Sequence, residues 1–192
     1  MKKEEKLNIT KEKLINAAAE LMEECNDSSE VTSRAIAERA GVRLSMINYC
    51  FGSREALLFE AFSQNESDYK NDPRIKSVIC SELSPKEKLR RMHYEVAEFL
   101  IKEYKFTRAV TGYVLLHRDL SKEPSSLPFI RAHFGGRKTE EECRVIAYEL
   151  SSMMQLVIYK LDDFSEFSGF DLRDTEQLHR FIDMRIDMLL GE

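Results

Sequence analysis

Residues 32–58 read TSRAIAERAGVRLSMINYCFGSREALL, and they carry the clearest structural pattern in the chain. The pattern predicts a short helix from about Thr32, a bend at Gly41 and a second short helix that ends near Cys50. Glycine suits the bend because it adopts left-handed backbone angles without steric strain. The small side chain of Ala37 lies where the second helix would cross the first. Two short helices across a tight turn form a helix-turn-helix.

The main alternative for this segment is a pair of ordinary bundle helices joined by a glycine turn. Apolar side chains occupy the positions that would face each other across the turn, and these are Ile36, Ala40, Val42, Ile47 and Cys50. Because the bend, the small residue and the apolar positions are all in register within about twenty residues, they favour the helix-turn-helix.

The charge distribution singles out the same segment. The chain of 192 residues has a net charge of -5, which does not by itself indicate a nucleic-acid partner. Between Thr32 and Arg54, however, four arginines stand against one glutamate. An acidic chain therefore carries a small basic segment near its N-terminus, and the local charge matters more than the total.

The remaining sequence predicts an all-α fold. The chain has only 7 glycines and 4 prolines, fewer than the turns of an all-β fold require. Helix starts are predicted at Thr10, at the capping boxes that begin with Ser84 and Thr139, and at Asp174. The helix from Thr139 is expected to run to about Asp163. In total we expect about nine helices and no sheet.

Three motifs in residues 32–58 point to a known family. The first is an I-A-x-x-A-G-V helix and turn. The second is a following helix with aromatic residues near its end, Tyr49 and Phe51, and the third is an S-R-E-x-L start of the next helix. The matching residues are Ile36, Ala37, Ala40, Gly41, Val42, Ile47, Tyr49, Phe51, Ser53, Arg54, Glu55 and Leu57. The segment from about residue 10 to 62 thereby closely resembles the DNA-binding part of TetR-family transcriptional regulators. It departs from the family at Cys50, usually His or Tyr, and at Asn48, often Tyr.

The resemblance implies a set of DNA-contacting residues. Arg43 could pair with a guanine, Asn48 with an adenine or a phosphate, and Tyr49 with a phosphate or a thymine methyl group. Other residues on the outer face of the second helix would face the major groove, and residues near the helix N-termini would anchor phosphates. The complete set is Thr32, Ser33, Arg34, Arg43, Leu44, Ser45, Met46, Asn48, Tyr49, Ser53 and Arg54.

The resemblance also implies two domains and a dimer. Residues 1–53 would form the DNA-binding headpiece, and residues 54–192 the effector-binding and dimerisation domain. The helix from Thr139 and the last helix would pair with their copies in a second chain, although simple core packing within one chain is the alternative. The candidate dimer residues are Ser151, Ser152, Gln155, Leu156, Tyr159, Leu178, Phe181, Ile182, Arg185 and Leu189.

The middle of the chain is rich in aromatic residues and would enclose a small-molecule effector, as such regulators do. The candidate effector contacts are Tyr94, Phe99, Tyr113, Leu116, His117, Phe129 and Met153. Taken one by one, the aromatic residues fit ordinary core packing better than a pocket lining, and His117 fits a core histidine with its hydrogen bonds satisfied better than a ligand contact. The sequence does not indicate what the effector is.

The function that follows is a repressor that binds a palindromic operator as a homodimer and is released by a small molecule. The alternative is a regulator controlled by a protein partner, or by thiol oxidation at Cys50, without a small-molecule pocket. The chain lacks G-x-S-x-G, G-x-G-x-x-G, H-E-x-x-H and a phosphate loop, so we expect no enzyme, no catalytic residue, no metal and no cofactor. Scattered cysteines and the absence of an apolar leader predict a cytoplasmic protein. No apolar run reaches the roughly 18 residues that a membrane span needs, so we expect none.

Overall fold

The computed structural model describes residues 3–25, 28–70 and 73–191, and these residues form eleven helices and no strand. The helices are α1 (Lys3–Glu24), α2 (Ser33–Ala40), α3 (Ser45–Phe51), α4 (Arg54–Lys70), α5 (Pro73–Cys80), α6 (Pro85–Lys102), α7 (Tyr104–His117), α8 (Leu127–Phe134), α9 (Glu140–Tyr159), α10 (Leu161–Ser168) and α11 (Thr175–Leu190). The all-α prediction is confirmed. In the described part of the chain, no helix has the length and apolar character needed to cross a membrane.

The chain divides into two compact units. The first unit comprises Met1–Tyr69 and Lys105–Leu116, so it contains α1 to α4 and most of α7. The second unit comprises Lys70–Tyr104 and His117–Glu192, and it contains α5, α6 and α8 to α11. The functional boundary between residues 53 and 54 stays a prediction.

The first unit has its own apolar core. Each of its first four helices contributes side chains that are almost fully buried, and these are Leu14, Ala18, Ile36, Ile47, Leu57 and Leu58. Burying one such leucine or isoleucine contributes about 1.5–3 kcal/mol. Phe106 and Val110 on α7 are also buried. The core of the first unit therefore draws on a helix that lies far along the chain from α1 to α4.

The core of the second unit lies between α6, α8, α9 and α11. Its buried side chains include Leu89, Ile130, Leu150 and Phe181. Along the edge of this core, α6 and α11 are joined by ion pairs. Arg90 lies 2.8 Å from Asp187 across the two helices. These contacts fix α11 against α6 within the unit.

The helix caps follow the sequence closely. Thr139 and Glu142 form a complete capping box at the start of α9. The side chains of Ser84 and Asp174 accept hydrogen bonds from backbone amides at the starts of α6 and α11. At Thr10 the prediction is wrong, because α1 begins at Lys3 and the Thr10 hydroxyl donates to the carbonyl of Lys6 at 2.9 Å.

Two further differences explain why eleven helices replace the expected nine. The predicted helix Thr139–Asp163 is interrupted at Lys160, where φ is -105° and ψ is 32°, and α10 begins at the next residue. The helix α5 was not expected, because it is only eight residues long and has one buried side chain, Ile75. Short helices with few buried positions carry little periodic signal.

Candidate nucleic-acid interface

The turn between α2 and α3 has the geometry that the sequence predicts. The Thr32 hydroxyl caps α2 by accepting from the amide of Ala35 at 3.2 Å. Gly41 ends the helix with a φ of 65°, in the left-handed region. The amides of Gly41 and Val42 then donate to the carbonyls of Glu38 and Ala37, the pairing of a Schellman motif. The chain thus leaves α2 at a defined angle and enters α3 after four connecting residues, 41–44.

The helix α3 is anchored on one side and open on the other. Ile47 is only 1% exposed and fixes α3 to the core of the first unit. Leu44, Ser45, Asn48 and Tyr49 are exposed on the opposite side, and the Tyr49 side chain reaches 64% exposure. These four positions follow one helical face, with spacings of one and four residues. A face of this kind can contact the edges of base pairs.

Every predicted DNA-contact residue is accessible in the structure. Seven are exposed and four are half-buried: Thr32, Arg34, Arg43, Leu44, Ser45, Asn48 and Tyr49 in the first group, and Ser33, Met46, Ser53 and Arg54 in the second. Ser53 caps α4 by accepting from the amide of Ala56 at 3.0 Å. The hydroxyl hydrogens of Thr32 and Ser53 can still donate to a phosphate, because each hydroxyl both donates and accepts.

Two of the four arginines in this segment have partners within the first unit. Arg39 binds Glu24 in α1 through two nitrogens, at 2.6 and 2.9 Å. This ion pair lowers the pKa of Glu24 through the hydrogen bond from Arg39. Arg54 donates to the carbonyl of Val31 at 2.6 Å and to that of Ser28 at 2.5 Å. The local pattern indicates only surface charges at both positions, because their partners lie fifteen or more residues away along the chain.

Cys50 is a half-buried thiol at the end of α3. Burial raises its pKa, although the charge of Lys11 in α1 opposes that effect. A raised pKa keeps the thiol protonated at neutral pH, and the thiolate is the form that oxidants attack. This environment gives no support to oxidation at Cys50. The influence of Lys11 also places a cation of α1 near the end of α3, which the sequence did not indicate.

The candidate effector residues divide between the two units. Tyr113 belongs to the first unit, where its ring centroid lies 5.7 Å from that of Phe59. Leu116 is 83% exposed, and His117 is also exposed, so neither lies in an interior. The suggestion that His117 is a core histidine is therefore wrong. The sequence around it is apolar, but this end of α7 faces solvent.

The other candidate effector residues lie in the second unit. Tyr94, Phe129 and Met153 are partly buried against its core, and Phe99 is half-buried. The ring of Tyr94 stacks on His179 at 3.8 Å, and its hydroxyl donates to Asp183. Burial and this hydrogen bond raise the pKa of Tyr94. Through these contacts Tyr94 connects α6 to α11.

For three residues, the prediction of a place in the dimer interface is wrong. Leu178, Phe181 and Ile182 are buried in the core of the second unit and cannot contact a second chain. The other predicted dimer residues are half-buried or exposed and so remain accessible to a second chain; they are Ser151, Ser152, Gln155, Leu156, Tyr159, Arg185 and Leu189. The periodicity of α11 shows an apolar face but does not show what covers it, so core and interface look alike in the sequence.

The structure adds exposed apolar residues that sequence reasoning missed. On α9 they are Val145 and Tyr148, and on α11 they are Met184 and Met188. Subtracting seven residues, two helical turns, from Ser152 and Gln155 leads to Val145 and Tyr148. The signal was therefore present in the sequence as an extension of the predicted face.

The structure now defines a class of fold: an all-helical chain with an N-terminal helix-turn-helix, the motif that DNA-binding regulators use. Residues 14–61 match the family described as "Bacterial regulatory proteins, tetR family". This segment is therefore similar to the DNA-binding part of tetR-family regulators, and it coincides with the helix-turn-helix and the helices on either side of it. Curated protein sequences give no match.

Two solved structures support the assignment of the fold. A TetR transcriptional regulator from Rhodococcus sp. RHA1 superposes with a TM-score of 0.58 at 18% identity, over 97% of each chain. A TetR-like transcriptional regulator from the same organism gives a TM-score of 0.54 at 17% identity, over 95% of this chain and 97% of the other. The similarity therefore extends over both units of the chain.

Proposed function

We propose that the protein is a repressor that binds a palindromic operator as a homodimer and is released by a small-molecule effector. The observation that carries this proposal is the face of α3, where Tyr49 and Asn48 are exposed while Ile47 anchors the helix. A short helix presented in this way fits the major groove. Its site of action would be the cytoplasm.

Recognition of a DNA sequence by this face of α3 would depend on a few side chains. Arg43 is exposed just before α3 and can donate two hydrogen bonds to a guanine. Asn48 has the amide that pairs with an adenine, and Tyr49 can contact a thymine methyl group or a phosphate. The N-termini of α2 and α4, capped by Thr32 and Ser53, would bind phosphates on either side.

The sparse positive charge supports binding as a dimer. With Arg39 and Arg54 engaged inside the first unit, Arg34 and Arg43 are the other two arginines of residues 32–54, and both are exposed. Few phosphate contacts per chain give weak affinity, and two copies on one duplex overcome that limit. In a two-fold dimer the recognition helices would lie roughly 34–36 Å apart, one turn of DNA.

The second copy would cover the exposed apolar face of α9 and α11. The exposed apolar residues of this face are Val145, Tyr148, Leu156, Tyr159, Met184 and Met188. Apolar side chains on two adjacent helices, exposed in a single chain, are typical of a surface that associates. Serines and Gln155 beside them allow close approach with polar contacts.

Release by an effector requires that the effector prefer a conformation unable to bind the operator. Half-buried aromatic and sulfur-containing side chains of the second unit, such as Phe99, Phe129 and Met153, would provide an apolar lining. The raised pKa of Cys50 speaks against the alternative of control by oxidation at that thiol.

The test is to select duplexes from a randomised library with the full-length protein and to measure binding of the selected duplex. A palindromic consensus and two chains per duplex are expected. Arg43→Ala and Tyr49→Ala should each weaken binding of this duplex by about tenfold or more, since a specific base contact contributes about 1–3 kcal/mol.

Two matched controls lie away from α3. Lys76→Ala removes an exposed charge on α5, and Phe167→Ala removes an aromatic side chain on α10 that is 87% exposed. Both should leave binding unchanged. Failure to enrich any duplex, or equal binding by wild type, Arg43→Ala and Tyr49→Ala, would contradict the proposed recognition face.

A further inference from the structure

The C-terminal end of α1 has an unfavourable charge for a helix. It ends with Glu23 and Glu24, and its last turn contains no basic residue. The C-terminus of a helix has a partial negative charge from its unpaired carbonyls, so carboxylates there are destabilising and cations are stabilising. Any cations that compensate must come from other helices.

Cations from three helices converge on this end of α1 and on the connection that follows it. Arg39 of α2 binds Glu24, and Arg54 of α4 holds the carbonyls of Ser28 and Val31. The third cation is Lys105, at the start of α7, whose Nζ donates to the carbonyl of Cys25 at 3.1 Å. We call Arg39, Arg54 and Lys105 the α1 clamp.

Lys105 has a well-defined environment. Cys25 directly follows α1 and continues its hydrogen-bond pattern, because its amide donates to the carbonyl of Leu21. Its own carbonyl is one of those without a partner inside the helix. The Lys105 Nζ also lies 5.1 Å from the centroid of the Phe106 ring. Phe106 is buried in the same compact unit as α1 to α4. The ammonium group is therefore held between a carbonyl and an aromatic ring.

We infer that Lys105 is a positioning residue for DNA recognition. By capping α1 from α7, it fixes the end of α1, and α1 packs against both α2 and α3. The inference rests on the proposed function, because it assumes that α3 reads the duplex. It assigns to α7, outside the matched segment of residues 14–61, a part in holding the recognition helix through α1.

The inference predicts a loss of specificity rather than a loss of charge attraction. Sequence-specific binding requires α3 at a defined position, because base contacts tolerate little displacement. Non-specific binding depends on the net number of cations near phosphates, and it tolerates a displaced helix. Loss of Lys105 should therefore affect the two modes of binding unequally.

The experiment compares Lys105→Met with Lys105→Arg and with Arg108→Met. Arg108 is an exposed cation on the same helix, so Arg108→Met removes the same charge without touching α1. Two probes are used: the duplex selected by wild type from a randomised library, and a scrambled duplex of equal length. Hydrogen exchange of the amides of residues 23–25, at the end of α1, in the free protein gives a second measurement; the amide of Cys25, for example, donates to the carbonyl of Leu21.

For Lys105→Met we expect about fivefold weaker binding of the selected duplex, the size of a helix-end cation effect, with little change for the scrambled duplex. Exchange at residues 23–25 should become faster, because the end of α1 loses the cation that caps it. Lys105→Arg should restore both properties, and Arg108→Met should match wild type in the ratio of the two affinities. Should Lys105→Met fail to fold, Lys105→Gln, which keeps a donor without the charge, takes its place.

The inference is overturned if the affinity ratio of Lys105→Met equals that of wild type, or if exchange at residues 23–25 is unchanged. If wild type selects no duplex at all, the proposed function fails by itself. The exchange measurement on the free protein still tests the cap in that case, so the two failures are distinguishable.

Discussion

At the scale of single residues, Ile47 and Tyr49 show how a seven-residue helix combines anchoring with recognition. They stand two positions apart, which in a helix places them on nearly opposite sides. Ile47 is buried in the core of the first unit, and Tyr49 is exposed. The sequence predicted both placements, because the helical period sends the apolar residue inward and turns its polar and aromatic neighbours outward.

Arg54 has a role that the sequence did not indicate, and this role gives a prediction. Its guanidinium binds the carbonyls of Val31 and Ser28 in a fork that a lysine cannot reproduce. Arg54→Lys should therefore lower the free energy of unfolding by about 1 kcal/mol, and Arg54→Met by about 2 kcal/mol. Urea denaturation measures both. Arg34→Lys, at an exposed position, is the control and should be neutral.

A phosphate contact by Arg54 stays a prediction and is separable from this structural role. If the charge mattered only for phosphate, Arg54→Lys would keep full stability and most of its DNA affinity. Wild-type stability in Arg54→Lys would show that the two carbonyl contacts contribute nothing.

At the scale of elements, the α2–α3 turn depends on the backbone of Gly41. Its φ of 65° is strained for any residue with a Cβ atom, and a Cβ placed there would have no neighbour within 4 Å. The cost of Gly41→Ala is therefore conformational strain without a steric clash, and we expect a loss of about 1–2 kcal/mol in the free energy of unfolding.

Gly41→Asn is the matched comparison, because asparagine tolerates left-handed angles better than alanine, and it should destabilise less. Thermal unfolding of the three proteins gives the ranking. Equal stability of Gly41→Ala and wild type would mean that the turn relaxes to another conformation.

Other elements show where local patterns stop being informative. Capping residues located α2, α6, α9 and α11 well, because a cap acts within four residues of itself. The break at Lys160 was not predicted, since the residues around it favour helix on both sides. The place of α7 in the first unit was also not predictable, because it depends on contacts with helices some eighty positions away, such as that of Lys105 with Cys25.

At the scale of the whole molecule, the apolar face of α9 and α11 leads to a prediction about assembly. Val145 is 63% exposed and Met188 is 69% exposed in the single chain. If a second copy covers them, Val145→Asp and Met188→Asp each place a charge in a dry interface, which is strongly unfavourable. Both should shift the protein to monomers in sedimentation equilibrium and weaken binding of the selected duplex by at least about tenfold.

Phe167→Asp is the control for this prediction, because Phe167 is an exposed aromatic residue on α10, outside the proposed interface. It should leave the dimer intact. Dimers of unchanged affinity in Val145→Asp and Met188→Asp would exclude this face as the interface, and a wild-type monomer would exclude the dimer altogether.

The amino-acid sequence by itself determined the all-α class, the helix-turn-helix, the turn at Gly41 and the outward face of α3. These features arise from interactions between residues close along the chain, such as caps, helical periodicity and the backbone freedom of glycine. Only the tertiary structure decided that Phe181 is core and that Leu116 and His117 are exposed. It also decided that Lys105 caps the end of α1 and that Arg54 holds the carbonyls of Ser28 and Val31. Those outcomes depend on which distant helices meet, and periodicity shows that a face is apolar without showing what covers it.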